Sequence, residues 1–175
     1  MKFAFLGPES TGKTSTAEEV ARRLQGGLVP EVSREFLAEK GLNYSYEDIL
    51  EIAKQQFTKE IEICDLNPYK VIICDTELIT IEIWLEFLGY EVPNWISTFI
   101  HQSTYDKYFL FDIDIPWVSD GLRNNEHDRD SLLNQFKKKL NYYNKNWELV
   151  SGIGEVRILS VLQSIQDSIG SSEEE

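Results

Sequence analysis

Lys2-Phe3-Ala4-Phe5-Leu6-Gly7-Pro8-Glu9-Ser10-Thr11-Gly12-Lys13-Thr14 decides the fold. Phe3–Leu6 is a short, continuous apolar run, which suits a strand buried on both faces. Two glycines then bracket a short polar stretch. From Lys13 to Gln25, Ala17, Val20, Ala21 and Leu24 recur at helical spacing, and Gly26-Gly27 stop the helix. Strand, glycine-bounded loop and helix together open an α/β unit.

The same alternation continues along the chain. Leu28–Glu31 reads as a second short strand and Arg34–Lys40 as a helix ending at Gly41. Ser45, with Asp48 three residues on, resembles a capping box for a long helix whose face carries Ile49, Ile52, Ala53, Gln56, Phe57 and Ile61. That helix should end before Pro68. Val71–Asp75 is the clearest buried strand. Glu77–Leu88 is a helix with Leu78, Ile81, Leu85 and Leu88 inward, closed by Gly89, and a short helix follows Pro93. Tyr108–Asp112 is a strand ending in an acid. The polar, aperiodic stretch from Ile115 to Arg129 is a loop, and Asp130–Tyr143 is helical. Leu149-Val150 is a fifth strand and Gly154–Ile169 a last helix. The expectation is a five-stranded parallel sheet with helices on both faces and a lid loop. It forms a single domain over residues 1–169, with a disordered acidic tail at 170–175.

With 175 residues, the chain suits one hydrophobic core. Lys plus Arg number 17 against 30 Asp plus Glu, a formal charge of −13. Such a surface is repelled by bulk nucleic acid and by anionic membranes, so no partner of either kind is expected. The apolar run after Lys2 is too short for a signal-peptide core, and no stretch is long enough to span a bilayer. Cys64 and Cys74 read as reduced thiols, and His101 and His127 are too isolated for a histidine-rich metal site. The expected setting is cytoplasmic. The oligomeric state is left open.

Gly7 to Thr14 matches G-x-x-x-x-G-K-[ST], the P-loop. A random chain of this length matches well under about once in a hundred. The glycines let backbone N–H groups curl around a phosphate, and the helix dipole adds favourable field there. The ATP-binding set is therefore Gly7, Pro8, Glu9, Ser10, Thr11, Gly12, Lys13, Thr14 and Ser15. Lys13 reaches the β- and γ-phosphates, and Thr14 ligates Mg²⁺. Asn144-Lys145-Asn146-Trp147 lacks the Asp of a GTPase guanine motif. A motor or AAA-type ATPase needs oligomer-facing sensor elements, which are not recognisable here. A compact small-molecule or nucleotide kinase fits, with an acid after the second or third strand and an arginine-bearing lid.

In an open α/β sheet the ligand sits beyond the carboxyl ends of the strands. Glu31 ends the second strand. It could hydrogen-bond the acceptor hydroxyl and take its proton, while Arg34 holds a polar part of the acceptor. The bland alternative is a Glu–Arg surface pair. Asp75, at the end of the third strand, could hold Mg²⁺ through water or act as the base. The alternative is an N-cap for the helix that follows. Glu77 is a weaker functional candidate than Asp75, and an exposed first-turn acid is its bland alternative. Arg123 and Arg129, in the polar segment after the fourth strand, could neutralise the transferred phosphoryl group. The alternative is two solvated arginines. The Ser151–Gly154 turn is a positional candidate for contacting adenine.

Four segments then resemble one family. Gly7–Thr14, Pro30-Glu31-Val32-Ser33-Arg34-Glu35, Cys74-Asp75-Thr76-Glu77, and Asp114–Arg123 with its Pro116-Trp117-Val118-Ser119-Asp120-Gly121-Leu122-Arg123 are similar to the ribosylnicotinamide kinase domain of the NadR family. The resemblance runs from Met1 to about Ile169. It implies ATP-dependent phosphorylation of the 5′-hydroxyl of nicotinamide riboside to nicotinamide mononucleotide. It also implies Glu31 and Arg34 in the acceptor segment, Asp75 near metal and acceptor, and Arg123 in the lid. Asp112, Asp114, Trp117 and Asp120 share the motif, and Trp117 joins the substrate-binding set. The family segment often reads Trp-Glu-Tyr-x-Arg-Glu, its Trp stacking on the nicotinamide. Here Pro30 replaces that Trp, and Phe57 is equivalent to the other stacking aromatic. A kinase for another nucleoside or nucleotide is the alternative substrate class. A non-catalytic ATP- or GTP-binding sensor is the alternative function class.

Overall fold

Side chains alternate across the first strand, and that alternation divides the core. In the computed structural model, which describes residues 1–41, 43–65, 71–118 and 126–173, β1 spans Lys2–Leu6. Phe3 and Phe5 point to one face of the sheet, Ala4 and Leu6 to the other, and all four are fully buried. Among the described residues the sheet has five strands in the order β2-β3-β1-β4-β5, all parallel. The others are β2 (Gly27–Val29), β3 (Ile72–Asp75), β4 (Lys107–Phe111) and β5 (Trp147–Val150).

Helices α1 (Lys13–Leu24) and α7 (Glu155–Glu173) cover the Phe3/Phe5 face, packing Ala17, Val20, Val161 and Ile165 on Phe109 and Phe111. Phe5 sits between those two rings, with centroids 5.4 and 5.1 Å away. Against the opposite face lie α3 (Tyr46–Asp65), α4 (Leu78–Phe87), α5 (Asn94–Gln102) and α6 (Arg129–Tyr142). The short α2 (Val32–Lys40) follows β2 directly. Because β1 is flanked by β3 and β4, successive crossovers diverge at its carboxyl end, which places the Gly7–Thr14 loop at the switch point of the sheet.

The capping box forms as read: Ser45 N–H donates to Asp48 Oδ2 at 2.7 Å, and Asp48 N–H returns a bond to Ser45 Oγ at 3.3 Å. Two expectations change. The chain is helical through Glu173, so the tail read at 170–175 is largely part of α7. Gly170 costs a helix only about 1 kcal/mol, which the preceding turns absorb. Leu88, expected inward, is 40% exposed because α4 ends at Phe87. No helix among the described residues is long and apolar enough to cross a membrane.

Candidate active site

The loop between β1 and α1 is held by its own atoms. Gly7 has φ 137°, and a Cβ there would lie 2.8 Å from the Phe111 carbonyl oxygen, so only glycine lets the loop pass the end of β4. Ser10 and Gly12 are also left-handed, at φ 53° and 76°. Thr11 Oγ1 donates to the Pro8 carbonyl at 2.9 Å. The Lys13 ammonium is buried and donates to the carbonyls of Gly7 and Pro8, each at 2.8 Å. Gly12 caps α1 without a side-chain bond, leaving the amide end of the helix directed at the loop. The arrangement is shaped to cradle a phosphate.

Two guanidinium groups strap the outside of the cradle. Arg129, the first residue of α6, donates to the carbonyls of Ser10 and Ile115, each at 3.1 Å. Arg157 on α7 is 2% exposed and bridges the Thr11 carbonyl and the Asp114 carboxylate. Asp114 in turn accepts from Gly152 N–H at 2.6 Å, and Val118 N–H donates to Ser10 Oγ at 2.8 Å. The segment after β4, the loop and the β5–α7 turn are thus joined. Trp117 lies beside Arg129, whose guanidinium carbon is 5.9 Å from the ring centroid. Arg129 is buried against the loop, not one of two solvated arginines. Arg123 and Asp120 lie outside the described residues. Nothing in the sequence marked Arg157, because its partners are more than forty residues away.

Two carboxylates, Glu31 and Asp75, meet beyond the strand ends. Glu31, 7% exposed, accepts from Ser33 Oγ at 2.8 Å and faces the Arg34 guanidinium at 3.9 Å. The backbone around Glu31 is fixed by Gln56, buried on α3. Its amide accepts from Val32 N–H at 2.9 Å and donates to the Pro30 carbonyl at 3.2 Å. In the sequence Gln56 stands out only as a member of the recurring face of its helix. Asp75 is 1% exposed. Burial raises its pKa, and the charge of Glu31 raises it further, while Lys13, the Thr14 hydroxyl and Arg34 act in the opposite sense. Lys13, Thr14, Glu31, Arg34 and Asp75 therefore form one electrostatic cluster. Neither Asp75 oxygen has a hydrogen bond of good geometry among the described residues. Asp75 does not cap α4.

Glu77 does. Its carboxylate accepts from Ile79 N–H at 2.9 Å, and it is buried, not an exposed first-turn acid. Burial pushes its pKa up to about 8. The folded pKa exceeds the unfolded one, so this contribution to stability is complete below the ordinary carboxyl range and is lost as pH rises through about 8. Glu77→Gln keeps the acceptor oxygen and removes the titration. At pH 9 the variant is expected to melt about 4 °C or more above wild type, with the gap closing by pH 5. Parallel melting curves at both pH values would sink the assignment.

A cavity of about 260 Å³ opens beside the cradle. Gly7, Pro8, Glu9, Lys13 and Glu31 form its polar end, and Tyr44, Trp84, Phe87 and Phe136 line it further on. Trp84 and Tyr44 meet edge to face at 5.0 Å, with Trp84 Nε1 donating to the Tyr44 hydroxyl at 3.3 Å. Phe57 is not among the lining residues; it packs on Phe99 with centroids 4.4 Å apart. Arg34, Trp117 and Arg129 do not line the cavity either. The aromatic wall comes from α4 and α6 and from Tyr44, which precedes α3.

Thr14 and Asp75 present hard oxygen donors next to the cradle, and the Asp75 oxygens, which make no hydrogen bond of good geometry among the described residues, could take a divalent cation. Among the described residues no cluster of three His, Cys, Asp or Glu side chains forms a metal cage.

Comparison with known proteins places this arrangement. A family model described as an AAA domain matches residues 2–157. The chain belongs to that family. Its cradle, strand-end acids and sheet order all fall inside the match, although no sensor element of the larger ATPases was recognised in the sequence. The chain is 28% identical over 127 residues to the trifunctional NAD biosynthesis/regulator protein NadR of Salmonella typhimurium. That stretch is 69% of this chain and 30% of the relative, so the chain spans about a third of the curated relative's length. A crystal structure of NadR protein in complex with NR superposes with a TM-score of 0.82 at 16% identity, covering 97% of this chain and 51% of that one. A deoxyadenosine kinase from M. mycoides with bound dATP gives 0.63 at 16% identity, over 95% and 99% of the two chains. These likenesses bear out the expected five-stranded P-loop kinase fold.

Proposed function

We propose that the chain is an ATP-dependent kinase that phosphorylates the 5′-hydroxyl of nicotinamide riboside, giving nicotinamide mononucleotide and ADP. One observation carries this reading. A phosphate cradle with a buried lysine opens onto an aromatic cavity, and the buried Glu31–Asp75 pair stands at their junction. The similarity to NadR supports the acceptor.

The cradle amides and Lys13 bind the β- and γ-phosphates of ATP. Mg²⁺, held by Thr14 and through water by Asp75, would neutralise charge on the phosphates. The acceptor hydroxyl oxygen attacks the γ-phosphorus, the bond to the ADP oxygen breaks, and the hydroxyl proton passes to the Glu31–Asp75 pair. Burial and the charge of Glu31 raise the pKa of Asp75, and that raised basicity suits proton capture. A cationic pyridinium would be attracted both to the aromatic faces of Trp84 and Tyr44 and to Glu9 and Glu31. With Pro30 in the place of the family's Trp and Phe57 packed elsewhere, Trp84 is the aromatic best placed to stack. A cytoplasmic setting supplies ATP and keeps Cys64 and Cys74 reduced.

Pro30 and the likeness to a deoxyadenosine kinase favour a second reading, a kinase for a different nucleoside. A coupled ADP-release assay across nicotinamide riboside, uridine, adenosine and deoxyadenosine separates the two. ADP formed only with an acceptor, and fastest with nicotinamide riboside, is the expected result. Equal rates with neutral nucleosides would remove the assigned substrate. Slow hydrolysis independent of any acceptor would replace the kinase with a nucleotide-binding sensor.

A further inference from the structure

Thr76 is an unusual residue at an unusual place. Its φ is +80°, a left-handed conformation that a β-branched side chain rarely adopts. It directly follows Asp75, and its N–H continues the sheet by donating to the Phe5 carbonyl at 3.1 Å. The side chain is 2% exposed and lines the cavity, yet its hydroxyl has no hydrogen-bond partner among the described residues. One helical turn further on, Thr80 also lines the cavity, and its hydroxyl is buried without a partner among the described residues. A threonine hydroxyl in a helix commonly bonds the carbonyl four residues back, as Thr98 does to Asn94 at 2.8 Å. Thr80 does not. Strain and two unmet hydroxyls at one cavity wall point to a ligand that meets them.

The order of side chains along α4 indicates which part of the ligand that is. Just past Asp75 in the chain, the wall reads Thr76, Thr80, Trp84, Phe87 from the cradle outward. At 1.5 Å per residue, Trp84 lies roughly 6 Å beyond Thr80 along the helix axis. A nucleoside laid along this wall with its 5′-hydroxyl at the Glu31–Asp75 pair would bring its ribose to the threonines and its base to the tryptophan. Each hydroxyl can both donate and accept, which suits a neutral hydroxyl partner.

We propose that Thr76 and Thr80 form a paired-hydroxyl seat for the vicinal diol of the acceptor's ribose, making them specificity-determining residues against 2′-deoxy acceptors. This rests on the kinase reading given above. A site built to hydrogen-bond a hydroxyl rejects the analogue lacking it strongly, because the buried group is then left unpaired. The left-handed backbone at Thr76 is what turns its side chain toward the ligand.

The test compares kcat/KM for nicotinamide riboside and 2′-deoxynicotinamide riboside, and for adenosine and 2′-deoxyadenosine. Wild type is expected to prefer the ribose form of whichever base it accepts by roughly 100-fold or more. Thr76→Val and Thr80→Val keep shape and lose the hydroxyl. Each is expected to lower kcat/KM for the ribose acceptor about 10-fold with a much smaller change for the deoxy acceptor and in the KM for ATP, and so to cut the preference by about 10-fold. Thr76→Ser should restore it. Thr76→Gly, which relieves the backbone, should fold at least as stably as wild type and still lose the preference. A wild type that turns over ribose and deoxy forms alike, or valine variants that keep the wild-type preference, would overturn the diol seat while leaving the kinase intact. A wild type inert toward every acceptor would overturn the kinase reading itself, and the seat with it.

Discussion

Lys13→Ala lowers phosphoryl transfer by about 10²–10³-fold, the scale expected when one preorganised donor to a charged transition state is removed. The cradle amides remain, so ATP still binds, and the loss falls mainly on kcat. The structure adds a second effect. The Lys13 ammonium is buried against the Gly7 and Pro8 carbonyls. Its removal leaves those oxygens with fewer donors and costs about 1–3 kcal/mol of stability. Turnover must therefore be compared per folded molecule, with the folded fraction read by thermal melt. Near-wild-type turnover in the folded variant would refute the assignment of the loop.

The parts of the site visible in the sequence are those built locally. Gly7–Thr14 is a contiguous device, and its glycines are demanded by φ values within the same few residues. Asp75 was visible because a carboxylate at the end of an apolar strand has few structural uses. The aromatic wall was not visible. Tyr44, Trp84 and Phe136 belong to different segments and meet only once α3, α4 and α6 pack on one sheet face. Phe57 carried the right chemistry on the right helix, but its ring turns toward Phe99. Arg157 and Gln56 escaped for the same reason. A buried guanidinium or amide that holds a distant backbone looks, in sequence, like an ordinary polar residue on a helix. The burial of Glu77 was not visible because a first-turn acid is usually solvated. Here its carboxylate is enclosed as it caps α4, and the enclosure raises its pKa.

Asp75→Asn tests where the chemistry and the folding energy part company. The substitution keeps shape and removes charge. If the Glu31–Asp75 pair holds the metal's water and receives the acceptor proton, turnover falls by about 10²–10⁴-fold. Stability should move the other way. Burial and the neighbouring Glu31 raise the folded-state pKa of Asp75 above its unfolded value. Its favourable contribution to folding is thus present below the unfolded pKa and lost as pH rises through the folded one. At neutral pH the ionised acid is a net cost to the fold, only partly offset by Lys13, Thr14 and Arg34. Asp75→Asn should therefore melt at or above the wild-type temperature at pH 7.5, with the difference shrinking as the buffer is acidified toward pH 4. A side chain retained at the expense of stability belongs to function. A variant that melts well below wild type while keeping normal turnover per folded molecule would instead make Asp75 a structural carboxylate, and would move the proton-accepting role to Glu31.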